Sequence, residues 1–282
     1  MFTELPELEV IRHGPSVADA AHPTPLVLVH GAFVGAWCWA PYFLDFFAEQ
    51  GFSVIAPSLR GHGQSEGRRM LNHSGIADYV ADLRRVVAEL TGPAPIFIGH
   101  SMGALVVQRY LESAPASGVV LMAPVPAHGL APSSLRMMMS DPLLFTEFGL
   151  MQAFGTGAMN PDIGQRAVFS ARLSIEQVNE YSARIQQESQ RALLEMNLNP
   201  WPRPWRVETT PPMLVMAGSE DALFTPNEIG ATARAWDADW LEIEDIAHAM
   251  MLEPNWHTAA DAINRWLIAA GLTSDTYPKA LD

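Results

Sequence analysis

A chain of 282 residues, 49% of them hydrophobic, can bury a large core and has room for one α/β domain with an insertion. Its 31 acidic against 17 basic side chains give a net charge of −14, which works against binding nucleic acid through phosphates or adhering to anionic membranes. No apolar stretch reaches the roughly 18–20 residues that cross a bilayer. The single cysteine, Cys38, excludes an intramolecular disulfide and a multi-cysteine metal cluster.

The first ten residues carry three Glu and no Lys or Arg, unlike the basic start of a secretory signal, so a cytoplasmic protein is the expectation. Leu26–Val29, between Pro25 and His30-Gly31, predicts a strand. Residues 36–50 predict an aromatic-rich helix ended by Gly51, with Cys38 as a buried thiol between Trp37 and Trp39. Residues 53–56 predict the next strand. Val80, Leu83, Val86, Val87 and Leu90 recur at helical spacing over residues 78–90, with charges between them. A third strand is expected over residues 95–98, a helix over 105–112 and a fourth strand over 119–122. Such alternation argues for a parallel sheet built by right-handed crossovers.

The alternation then stops. Residues 125–207 are rich in Met, Gln, Ser and Pro, with a helical stretch over 174–195 and no clear strand. Strands return over residues 213–217 and 240–243, and helices over 227–236 and 255–270. The division expected is a sheet domain of residues 1–124 and 208–282, interrupted by a helical insertion of residues 125–207.

Gly99-His100-Ser101-Met102-Gly103 fits Gly-x-Ser-x-Gly, with an apolar strand before it and a helix after it. In so tight a strand-to-helix turn, larger side chains at the two glycines would meet neighbouring backbone, and the serine is presented at a helix N-terminus. A serine nucleophile needs a base, and the base needs an orienting acid. His248 follows the strand over residues 240–243, and Asp221 follows the strand over residues 213–217. Asp221 is the favoured acid, with Glu220 and Asp245 as its neighbours in the sequence. The backbone N–H groups of Met102 and Ala32 are the candidate donors to a developing oxyanion, Gly31 allowing the close approach. His30 reads as a structural histidine behind that loop.

Together with Leu59-Arg60-Gly61-His62-Gly63-Gln64-Ser65, these residues resemble the α/β-hydrolase superfamily over nearly the whole chain outside the insertion. The resemblance implies an α/β-hydrolase fold, with a mostly parallel eight-stranded sheet flanked by helices and a helical cap over Ser101. It also implies a Ser101–His248–Asp221 triad that needs no metal and no organic cofactor. Gly35-Ala36-Trp37-Cys38-Trp39 is similar to the esterase and hydroxynitrile lyase branch. The related plant lyases carry a lysine soon after the catalytic histidine, where this chain has Ala249, Met250 and Met251. Haloalkane dehalogenases and epoxide hydrolases of the fold use an aspartate where Ser101 stands. Ser101-Met102-Gly103 is shared with carbon–carbon bond hydrolases and cofactor-free perhydrolases, and a non-catalytic receptor of this fold can keep a triad.

An apolar pocket is expected from Phe33, His100, Met137, Met138, Leu144 and Trp201. The substrate expected is a small-to-medium hydrophobic ester, lactone or thioester. A homodimer is left open.

Overall fold

The structure, a computed structural model, describes residues 5–15, 22–154, 166–198 and 201–273. Seven strands form one sheet among these residues: β1 (Val10–His13), β2 (Leu26–Val29), β3 (Val54–Pro57), β4 (Ile96–His100), β5 (Gly118–Met122), β6 (Met213–Gly218) and β7 (Asp239–Ile243). Their order is β1-β3-β2-β4-β5-β6-β7. Only β1 runs antiparallel to its neighbour. Strands β2 to β6 are buried at every residue, which is why they read as continuous apolar runs and not as alternations. The edge strand β7 exposes Asp239, Trp240 and Glu242.

Three expectations about the elements need correction, the third of them in the segment between β5 and β6. The sheet has seven strands, not eight, among the described residues. Ahead of β1, the backbone meets the 58–66 loop in place of a neighbouring strand: Ser58 N–H donates to Glu9 O and Glu66 N–H to Glu7 O, both at 2.9 Å. The helix expected over residues 36–50 is a 3₁₀ turn, Ala36–Trp39, followed by α1 (Phe43–Glu49). Pro41 stands between them, without an N–H to continue the ladder.

Helices α2 (Ile76–Ala88) and α3 (Met102–Leu111) lie on the sheet face opposite α1, as right-handed crossovers on either side of β2 require. Between β5 and β6 come α4 (Leu130–Ser140), α5 (Pro142–Phe154), α6 (Ile175–Ser182) and α7 (Gln190–Leu198). The single helix expected over 174–195 is therefore two, separated by residues 183–189. After β6, α8 (Pro226–Trp236) packs beside α3, where Trp236 Nε1–H donates to Gln108 Oε1 at 2.8 Å. The last helix, α9 (Trp256–Ala269), returns to the α1 face, with Trp256 stacked on Tyr42 at 4.8 Å between ring centroids.

The chain's direction across the sheet reverses between β2 and β4, and a sheet of this kind opens a crevice there at its carboxyl edge. The β2–β4 register pairs Val29 with Gly99. Two residues later, the loop at Gly31 and the turn at Ser101 lie side by side.

Candidate active site

Ser101 links β4 to α3 with φ 52° and ψ −115°, a conformation that costs a non-glycine residue about 1–3 kcal/mol. Its N–H donates to Met122 O at 3.0 Å, and its carbonyl accepts from Ala104 N–H at 3.1 Å, so the strain is fixed from both sides. Gly103 lets the first turn of α3 sit against β2: a Cβ there would lie 2.3 Å from Val29 O and 2.4 Å from His30 O. Gly31 has a similar constraint, since its Cβ would lie 2.8 Å from His100 Nδ1 and 3.2 Å from Ser101 Cβ. Met102 N–H is the first of α3 and points out of its positive end. Among the described residues neither Met102 N–H nor Ala32 N–H has a protein acceptor.

Asp221 and His248 come together from the loops after β6 and β7. Asp221 Oδ1 accepts the N–H groups of Leu223 at 2.8 Å and Phe224 at 2.9 Å. Its Oδ2 accepts His248 Nδ1–H at 2.7 Å, and both side chains are buried. The bond places the proton on Nδ1 and leaves the Nε2 lone pair free to act as a base. The other carboxylates of these loops face elsewhere. Glu220 pairs with Arg172 at 2.6 Å, and the Asp245 side chain is 76% exposed.

Two further histidines are pinned. Nε2–H of His100 donates to His248 O at 3.0 Å, and its buried Nδ1 has no hydrogen-bond partner among the described residues. Burial and the neighbouring His248 hold the His100 pKa well below the usual value, so it stays neutral. His30 accepts Leu59 N–H at its Nε2 (3.0 Å) and donates from Nδ1 to Gly31 O (2.8 Å). Burial, aided by His62, pushes its pKa down to about 3. It ties the loop after β2 to the loop after β3.

Ser101, His248, Ala32, Phe33 and His100 line one cavity of about 180 Å³. Its walls are mainly apolar and come from both the sheet edge and the segment between β5 and β6, Phe145, Phe148, Phe169, Tyr181 and Met196 among them. Met137 lines it too. Met138, the next residue on α4, turns to solvent, as the 100° step of a helix requires. Leu144 is buried outside the lining, and Trp201 is 57% exposed, away from it. Nothing in the sequence distinguishes Phe148, Phe169 and Tyr181, because apolar residues look alike there whether they face a cavity or a core. Cys38 lines the cavity as a neutral thiol, its pKa pushed up by burial. Among the described residues no group of three His, Cys, Asp or Glu is placed to hold a metal, and no helix is long and apolar enough to cross a membrane.

A sequence model described as the alpha/beta hydrolase family matches residues 26–262. Methyl jasmonate esterase 1 of Vitis vinifera is 36% identical over 90 residues, 32% of this chain and 34% of the relative. A non-heme chloroperoxidase of Burkholderia pyrrocinia is 36% identical over 107 residues, 36% of this chain and 37% of the relative. The aligned segments thus span only about a third of these relatives' own length. A thermophilic esterase from Thermogutta terrifontis superimposes with a TM-score of 0.71 at 20% identity, over 94% of each chain, which is a likeness of fold.

Proposed function

The chain belongs to the alpha/beta hydrolase family, and on that premise we propose that it is a serine hydrolase of carboxylic esters. The observation that carries this reading is the buried 2.7 Å Asp221–His248 hydrogen bond, whose histidine lines the same cavity as the strained Ser101. His248 Nε2 takes the Ser101 proton as Oγ attacks the ester carbonyl, and Asp221 stabilises the imidazolium that forms. The carbonyl electron pair moves onto oxygen, which accepts the Ala32 and Met102 N–H groups. The intermediate collapses, the alcohol leaves with the proton held by His248, and an acyl-enzyme remains on Ser101. Water, deprotonated by His248, attacks the acyl carbon, and collapse of the second intermediate frees the acid and returns the proton to Ser101. The steps use only these side chains and backbone groups, with no metal or organic cofactor.

In this reading residues 125–207 act as a cap, and their apolar wall selects an uncharged, hydrophobic acyl or alkyl group. The arginines that a carbon–carbon bond hydrolase would want in its pocket already have other partners. Arg172 bonds Glu220, Arg191 bonds Glu195, and Arg184 stacks over the Trp37 ring at 4.4 Å. None of the three is among the cavity-lining residues. The similarity to a chloroperoxidase favours a second outcome of the same chemistry, in which hydrogen peroxide replaces water and the product is a peracid. Ser101→Ala tests the reading: hydrolysis of a short p-nitrophenyl ester is expected to fall by about 10⁴-fold or more. Turnover persisting in that variant would refute it.

A further inference from the structure

Opposite the triad, a buried charged cluster holds the loop after β2. Residues 183–189, between α6 and α7, cross that loop as a strap. Gln186 N–H donates to Phe33 O at 2.8 Å, and Phe33 N–H points to Glu188 Oε2 at 3.4 Å. Both backbone polar groups of Phe33 are thus engaged by the strap. Phe33 itself has φ 67°, a left-handed conformation that a residue with a Cβ adopts only when its surroundings impose it.

The strap is anchored in turn. Glu188 Oε2 lies 2.9 Å from His62 Nε2, and Oε1 accepts Tyr79 O–H at 2.7 Å and Ser189 N–H at 2.6 Å. The side chains of Glu188 and His62 are wholly buried. Burial alone would lower the His62 pKa, but the Glu188 charge and hydrogen bond outweigh it and raise the value. Burial likewise works to raise the Glu188 pKa, but His62, Tyr79 and the Ser189 N–H together lower it. Both shifts favour the charged forms, and His62 Nδ1 also lies 3.1 Å from Arg60 O, so both ring nitrogens face acceptors. Gln186 adds a second anchor: Oε1 accepts Gly63 N–H at 2.8 Å, and Nε2–H donates to Gly61 O at 2.8 Å. A buried ion pair is a weak source of stability, because desolvation offsets most of the attraction, whereas it fixes geometry closely.

We propose that Glu188 and Gln186 are positioning residues for acyl transfer, holding Phe33 in its left-handed conformation so that the adjoining Ala32 N–H is aimed at the oxyanion. This rests on the reading of Ser101 as nucleophile and Ala32 as oxyanion donor. The strap makes the transition-state geometry of the sheet-edge loop depend on the segment between β5 and β6. Phe33 and the strap's Ile185 also line the apolar pocket, so binding of an oxyanion-forming ketone, more than ester binding, reads out the positioning role.

The test compares wild type with Glu188→Gln, Glu188→Ala and Gln186→Ala on a short p-nitrophenyl ester and on a trifluoromethyl ketone. That ketone adds Ser101 Oγ to its carbonyl and places an oxyanion in the hole. For Glu188→Ala the expected result is a fall in kcat of about 10- to 100-fold, as for a misplaced catalytic group, with a smaller change in KM. Inhibitor affinity should fall in parallel with kcat. Glu188→Gln should recover part of both, and Gln186→Ala should show a smaller loss of the same pattern. Should the Glu188 variants fail to fold, Gln186→Ala decides alone, because it leaves the buried charge pair intact. Unchanged kcat and inhibitor affinity in folded variants would overturn the proposal. A loss confined to KM would do the same. A wild-type enzyme that neither turns over the ester nor binds the ketone would instead undo the serine-hydrolase reading beneath it.

Discussion

Strands β4, β5 and β6 are buried at every position, and the turns that leave β4 and β6 carry Ser101 and Asp221. Across the cavity, α4 buries only Leu130, Ser133 and Met137, and shows Leu135, Met138 and Met139 to solvent. Strands β4, β5 and β6 are hydrogen-bonded on both sides, and His248, beyond the one-sided edge strand β7, is held by Asp221. The helices facing the sheet edge have one packed face each and are joined to it at a few points, such as Ala249 N–H to Val168 O at 2.9 Å and Ser170 N–H to Glu253 Oε1 at 2.7 Å. That difference divides the labour: substitutions at the edge should act on rate and folding, and substitutions in the facing helices on selectivity.

The largest expected effect lies at the edge. Asp221→Asn should keep the geometry but lose the tautomer of His248, lowering kcat by about 10⁴-fold, while Asp245→Asn should stay within about threefold of wild type. Steady-state kinetics of the two variants on one ester make the comparison, and a larger loss in Asp245→Asn would reverse the assignment of the acid. Next comes Gly103→Ala, whose Cβ would press on Val29 O at 2.3 Å. Overpacking against backbone should lower the melting temperature by about 5 °C or more, measured by calorimetry.

The facing helices should respond differently. Phe148→Ala enlarges the cavity wall and should shift the ratio of kcat/KM for long against short acyl esters by about tenfold. Met138→Ala, on the solvent side of α4, should leave that ratio unchanged. Equal shifts from both variants would show that the wall has been assigned to the wrong face.

The smallest effect is one of pH. With its pKa raised above 6.5, His62 contributes stability that is complete below 6.5 and lost as pH rises through its folded value. Glu188, lowered below 4.5, contributes stability that is complete above 4.5 and lost as pH falls through its folded value. The pair's contribution is therefore full between about 4.5 and 6.5 and declines on either side. Melting temperatures across pH for wild type and for a His62→Gln, Glu188→Gln double variant should differ in shape by that amount, and curves of identical shape would contradict it.

The sequence carried the edge better than the wall, for a physical reason. Continuous apolar runs bounded by Gly and Pro mark strands buried on two faces, and the five-residue turn at Ser101 tolerates few other residues. β1 stayed hidden because Val10–His13 is short, half-buried and carries Arg12 and His13. The separation of α6 from α7 was equally silent. Residues 183–189 have helix-compatible side chains, and their departure from the helix is compensated by bonds to Phe33, Gly61 and Gly63, far away in sequence. Met138 and Trp201 look like wall residues by type alone, and only the direction of α4 and the exposure of Trp201 show otherwise.

Covalent trapping tests the central claim most directly. Wild-type protein treated with a fluorophosphonate should gain the mass of one phosphonyl group, mapped by peptide mass spectrometry to Ser101, and Ser101→Ala should gain none. An adduct on another residue, or labelling that survives in Ser101→Ala, would contradict the account.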